Sequence, residues 1–128
     1  MGMNWRTKLI SSLSHTILKY RYHHISDANI LTINKEVITH LRLFPKWMTL
    51  PFSILLLIFN ISGVSVGLKP FIYNSRNQQH LQYQQWKASS LNFKREFILL
   101  IESLAIFYYF NLNYFTLLHI IEQLYLYF

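Results

Sequence analysis

FILLIESLAIFYYFNLNYFTLLHIIEQLYLYF, residues 97–128, contains no Lys or Arg in thirty-two positions. Its inner window, Ser103 to Ile121, holds nineteen residues without a formal charge, ten of them Leu, Ile or Phe. At about 1.5 Å per helical residue the window covers roughly 28 Å, close to the ~30 Å hydrocarbon core of a bilayer. The expectation is a C-terminal transmembrane helix over 96–128 in a small all-α integral membrane protein.

A second apolar stretch lies upstream at 47–68, WMTLPFSILLLIFNISGVSVGL. From Leu50 to Leu68, twelve of nineteen residues are Leu, Ile, Phe or Val. Each contributes about −0.3 to −0.6 kcal/mol to insertion near a bilayer centre. Pro51, Asn60, Ser62, Gly63, Ser65 and Gly67 erode that gain, so the segment reads as a full span or as a re-entrant one. Gly63 and Gly67 form a G-x-x-x-G spacing that permits close helix approach.

Charge divides the chain. Residues 1–95 hold all twelve Lys and Arg against Asp27 and Glu36, whereas 96–128 hold Glu96, Glu102 and Glu122 and no base. A basic portion beside a base-free apolar tail suits the anionic face of a membrane. No nucleic-acid-binding motif accompanies the charge, and nucleic acid is set aside as a partner. The absence of Cys excludes disulfides and thiolate chemistry.

The basic N-terminal region, 1–46, carries two helical patterns. Trp5, Leu9, Leu13, Ile17 and Tyr20 fall on one arc of a helix over 4–22, with Lys8, Ser11, Ser12, His15 and Lys19 opposite. Such a helix fits a headgroup layer, an organellar presequence, or packing on its own domain or partner. Ser26-Asp27 then offers a capping start for a second helix, which Pro45 ends. The polar connector, 69–95, places Tyr83, Trp86, Ser90, Phe93 and Phe97 at helical spacing. The spacing predicts an amphipathic helix running straight into the terminal one. Trp5, Trp47, Trp86, Lys87, Lys94 and Arg95 are the candidate membrane-interface residues, combining aromatic rings with basic heads.

The terminal helix has a polar stripe of its own. Glu102, Tyr109, Asn113, Thr116 and Gln123 lie within about 80° of arc. Hydrocarbon offers these groups no partners, so the stripe is expected to bind another protein. The bases flanking the two apolar segments disagree about topology. Lys87, Lys94 and Arg95 put the N-terminal side of the terminal segment in the cytoplasm or an organelle matrix. Lys35, Arg42 and Lys46 before the first segment, with Lys69 and Arg76 after it, want both of its flanks on one side. A re-entrant first segment satisfies all these counts.

Catalytic and cofactor patterns are sparse. No serine-histidine-aspartate arrangement, phosphate loop or dinucleotide fingerprint occurs. Of six histidines, His40 and His119 are the candidates for a haem between helices, with Glu102 as an intramembrane carboxylate suited to proton transfer or ion pairing. Neither histidine has a neighbouring cavity of small residues, so no cofactor is assigned.

Between LFPKWM at 43–48 and Phe110, a set of short aromatic and basic motifs carries a resemblance. Phe71, Trp86, Ser89, Arg95, Phe97 and Tyr108-Tyr109 resemble the region preceding the flavin domain of long-chain alcohol oxidases of the glucose–methanol–choline (GMC) oxidoreductase type. They also resemble small stand-alone bacterial companions of such enzymes. The flavin-binding G-x-G-x-x-G is missing here, so the resemblance implies an accessory or anchoring role rather than an oxidation carried out by this chain. The expected function is a non-catalytic anchor in a bacterial or organellar inner membrane, docked on a larger partner. The alternatives are a structural subunit of a respiratory or photosynthetic complex and a haem- or quinone-binding subunit.

Overall fold

The computed structural model describes residues 4–127, apart from the side chains of 113–120 and 127. The described residues form an all-α fold: α1 (Trp5–Arg21), α2 (Asp27–Arg42), α3 (Lys46–Ser62), α4 (Val64–Gly67), a 3-10 turn (Phe71–Tyr73), α5 (Arg76–Lys87) and α6 (Asn92–Tyr127). Three helix starts are capped by side chains that accept from backbone N–H groups left free at a first turn. Asn4 accepts from Thr7, Ser26 from Asn29, and Ser75 from Gln78. Gln78 returns a bond from its own side chain to the Ser75 N–H, closing a capping box.

α1 is the hub of the bundle, packing on α2, α3, α5 and α6. Leu9, Leu13, Ile17 and Leu18 are fully buried. Of the three settings open to this helix, packing within its own domain is the one observed. Ile30, Ile33, Val37 and Leu41 bury the matching stripe of α2.

α3 and α4 continue the apolar segment as one stretch, Lys46–Gly67, with mean hydropathy 1.9 and 17% of its apolar window buried. Among the described residues this is the stretch long and apolar enough to cross a membrane. Its inner face is Leu56, Phe59 and Gly63, flanked by the half-buried Phe52 and Leu55. Its outer face, including Trp47, Leu50, Ile54, Leu57, Ile61 and Val64, is exposed.

Beyond α4 the chain folds back. Leu68 takes a left-handed conformation at φ 63° and ends the helix. The following 3-10 turn lays Phe71 on Phe59, with ring centroids 4.7 Å apart. The G-x-x-x-G pair makes this turn possible. A Cβ on Gly63 would strike the backbone of Phe71, and one on Gly67 would strike the side chains of Asn74 and Gln78. The close approach that these glycines permit is therefore within the chain.

Amide side chains then serve the carbonyls near the end of the apolar helix. The Gly63 N–H bonds to Asn60 O, and the Phe59 carbonyl accepts from Gln82 Nε2 at 2.6 Å. Asn74 Nδ2 donates to Gly63 O and Lys69 O, and Asn60 Oδ1 accepts from the Ile72 N–H.

The connector differs from its sequence-based expectation. α5 stops at Lys87, and α6 begins anew at Asn92, with Ala88–Leu91 as the break. Arg95 helps fix it by donating from Nη1 to Ser89 O at 2.7 Å. The break lets Trp86 and Phe97 meet at 5.6 Å around Phe59, which lies 4.8 and 5.3 Å from them.

α6 is 36 residues long, or about 54 Å. Its first part is not a lipid-facing span: Phe97, Ile98, Ile101, Leu104 and Ala105 are buried in the bundle core. Residues 121–126 are all exposed. The expected transmembrane helix over 96–128 includes 113–120, whose side chains lie outside the described residues.

Gly63→Ala forces the Phe71 backbone away and is expected to cost about 1–3 kcal/mol. Ser65→Ala, on the exposed side of the same helical stretch, should stay within about 0.5 kcal/mol of the parent. Thermal unfolding in an uncharged detergent distinguishes the two.

Candidate functional site

Glu102 enters the bundle on the inner face of α6, where its side chain is 6% exposed. Its neighbours along that face are Ile98, Ile101 and Ala105, and these offer no counter-charge. The donors come from other helices. Arg21, the last residue of α1, donates from Nη2 to Glu102 Oε1 at 2.6 Å. Tyr83 of α5 donates its hydroxyl to Oε2 at 2.6 Å. Lys87, one turn beyond Tyr83, places Nζ 3.4 Å from Oε2.

The surrounding rings hold these donors in place. The Lys87 ammonium lies 5.7 Å from the Tyr83 ring centroid and 5.9 Å from that of Tyr20. Tyr20 meets Tyr83 edge-on at 6.0 Å. Burial, and then the bond to Glu102, push the Tyr83 phenol well above its ordinary pKa, so it remains a donor. The bond to Glu102 likewise raises Arg21 above its ordinary value. Both carboxylate oxygens are occupied, so the arrangement is an ionic clasp joining α1, α5 and α6.

The expected partner-binding stripe is thereby divided. Glu102 is inside the bundle and bound by its own chain. Tyr109 is half-buried and stacks on Tyr22, with ring centroids 3.6 Å apart and planes at 11°. Both help hold α6 against α1 and the residue that follows it. Gln123 is exposed. Asn113 and Thr116 lie outside the described side chains.

The candidate interface residues divide as well. Trp47 is 75% exposed at the start of α3. Trp5 is half-buried, with the Arg6 guanidinium 5.7 Å from its ring centroid. Trp86 is buried among Phe59, Phe93 and Phe97, so its indole is a core group rather than a belt aromatic. Lys94 covers the Trp86 ring at 5.2 Å, Lys87 belongs to the clasp, and Arg95 secures the break before α6.

His40 is engaged by Tyr108, whose hydroxyl lies 3.0 Å from Nδ1. His119 lies outside the described side chains. No group of three or more His, Cys, Asp or Glu is placed to hold a metal ion among the described residues. One cluster was not singled out in the sequence: His15, Lys19, Tyr20, His23, Arg76 and His80 line an open groove between α1 and α5. Its signal was the spacing of His15 and Lys19 four residues apart on one helix face, with His23 in the turn just beyond that helix and Arg76 and His80 four apart on another. No family model matches this chain, and neither a curated protein nor a solved structure matches it.

Tyr83→Phe removes one bond to a buried carboxylate and is expected to cost about 1.5–3 kcal/mol. Glu102→Ala removes the acceptor shared by all three donors, leaving Arg21 and Lys87, both more than a third exposed, to return to water. The Glu102→Ala/Tyr83→Phe double variant should therefore lose less than the sum of the two single losses. Denaturant melts of the four proteins in a double-mutant cycle measure that difference; strict additivity would show that the clasp does not act as a unit.

Proposed function

We propose that this chain is a non-catalytic membrane anchor, held by the outer face of α3, that docks a larger partner. The observation that carries the reading is the exposed row Trp47, Leu50, Ile54, Leu57, Ile61 and Val64 on a 22-residue apolar stretch. Contiguous apolar surface on this scale favours a lipid or protein environment. Burying its large side chains is worth about 1.5–3 kcal/mol each, enough in sum to hold a chain of this size on a bilayer.

The packing favours a monotopic placement over a full crossing. The inner face of α3 is covered by α1 and by the turn leading to α5. α1 carries Arg6, Lys8, Lys19 and Arg21, and α5 carries Arg76 and Lys87. Such helices belong in the headgroup region and the water beyond it, so α3 lies along one leaflet with its outer face in the acyl chains. Lys46 and Lys69 then flank it from the same side, which accommodates the base counts at both ends.

The partner fitting the resemblance is a flavin-dependent alcohol oxidoreductase of the GMC type. Supporting this, Phe71, Trp86 and Phe97 converge on Phe59, and Ser89 and Arg95 join through a hydrogen bond. Residues scattered through the sequence thus form one folding unit. The exposed end of α6, residues 121–126, is the surface assigned to that partner.

In carbonate and high-salt washes the protein is expected to stay in the membrane pellet. Leu57→Arg/Ile61→Arg should move it to the supernatant with its helical circular dichroism intact. Single cysteines at Thr39 and Asn77 should react with an impermeant thiol reagent from the same side of sealed vesicles. Release of the parent protein by salt alone would overturn membrane anchoring; labelling from opposite sides would replace the monotopic placement with a crossing.

A further inference from the structure

The groove between α1 and α5 lies outside the apolar anchor and borders the clasp through Tyr20. It encloses about 530 Å³, room for a phosphate group with an organic substituent. Lys19 and Arg76 bring cationic side chains to its wall, while His15, His23 and His80 bring three imidazole rings. The acid facing this set is Asp27, which sits 3.7 Å from Lys19 with a side chain 90% exposed. It offsets one charge weakly and leaves the wall electropositive.

The fold leaves much of this donor capacity unspent. Lys19 Nζ donates to Ile25 O, and Arg76 Nη1 makes a 3.3 Å bond to Gln79 Oε1. The other guanidinium nitrogens of Arg76 are available for a forked contact with an oxyanion. The His80 ring rests against Tyr20, with centroids 5.1 Å apart. His15 Nδ1 is buried without a hydrogen-bond partner among the described residues, so no neighbour fixes the ring's tautomer. Burial, then Arg76 and Lys19, hold the His15 pKa below its ordinary value. An anion in the groove would offset the two cations and pull the proton back on.

We propose that His15, Lys19, His23, Arg76 and His80 form a binding site for a phosphate group, either the headgroup phosphate of an anionic lipid or a free phosphate compound. Two helices present cationic side chains to one space and supply no carboxylate to fill it, which is the arrangement an oxyanion completes. Because a bound anion offsets the cations that disfavour protonated His15, binding strengthens as pH falls from 8 to 6. The charged groups facing His15 are Lys19, Arg76 and Asp27, and Tyr20, His23 and His80 complete the lining.

The test uses the full chain in an uncharged maltoside detergent. Calorimetric titration with inorganic phosphate and with sulfate measures anion affinity; sulfate keeps its charge across the pH range and isolates the response of the protein. Arg76→Gln/His80→Gln should weaken binding by about tenfold or more, the worth of a charge-assisted hydrogen bond. Lys35→Gln, an exposed change on α2, should alter it less than about twofold. Sulfate should bind more tightly at pH 6 than at pH 8. Mixed micelles containing phosphatidic acid or phosphatidylcholine separate the sources. Preferential binding of phosphatidic acid, displaced by inorganic phosphate, assigns a lipid headgroup; phosphate binding without that preference assigns a free compound. No binding of phosphate, sulfate or phosphatidic acid, equal binding by parent and groove variant, or equal sulfate affinity at the two pH values would each overturn the proposal.

Discussion

A carboxylate inside an apolar bundle is tolerable only if other helices bring its partners, and Glu102 imposes that condition on three of them. The α6 surface beside it is built from Ile98, Ile101 and Ala105 and has nothing to offer a negative charge. Arg21 and Tyr83 supply short bonds, and Lys87 adds a second cation. Sliding α6 by one turn would leave the carboxylate desolvated without a donor, at a cost of several kcal/mol. The clasp therefore sets the register of α1, α5 and α6 even if its net contribution to stability is small. Arg21 is well placed for this, since a cation in the last turn of α1 is also favoured by the helix dipole.

A second constraint acts at the end of α3. A helix entering a tight turn leaves carbonyls without their usual donors, and an apolar environment would make that costly. The chain answers with carboxamides: Gln82 serves Phe59 O, whose Gly63 donor has turned to Asn60 O, Asn74 serves Lys69 O, and Asn74 and Gln79 add second bonds to Gly63 O and Phe71 O. Long, uncharged amides reach across to neighbouring backbone without bringing a charge into the core. The glutamine-rich composition of α5, which in the sequence suggests only a soluble connector, serves as backbone repair for the apolar segment. This fixes which face of α3 turns inward and leaves the opposite face as a continuous apolar surface. Clasp and repair lie side by side on the buried face of α5, where Gln79, Gln82 and Tyr83 all point inward, making that short polar helix the link between the ionic and apolar halves of the fold.

The sequence by itself determined the helical class and most helix boundaries, because those depend on local chemistry. Ser26 caps α2, and Leu43-Phe44-Pro45 follows its end. Hydrophobic spacing marked Leu9, Leu13 and Ile17 of α1 and the stripe of α2, though Tyr20 on the α1 arc is exposed. The run of apolar residues marked the segment at 47–68, which the structure bounds at Lys46–Gly67. What required the tertiary structure was the destination of each apolar or charged face. A helix stripe carries the same period whether it meets lipid, a partner or its own chain, so the buried role of α1 could not be separated from an interfacial one. The break at Ala88–Leu91 was hidden because Trp86, Phe93 and Phe97 keep helical spacing across it. Glu102 was visible as an isolated acid, but Arg21 lies 81 residues away. Such a pairing exists only once the helices pack. The histidine and arginine groove depends in the same way on two helix faces, each unremarkable alone, being brought to one space by the packing of α1 on α5.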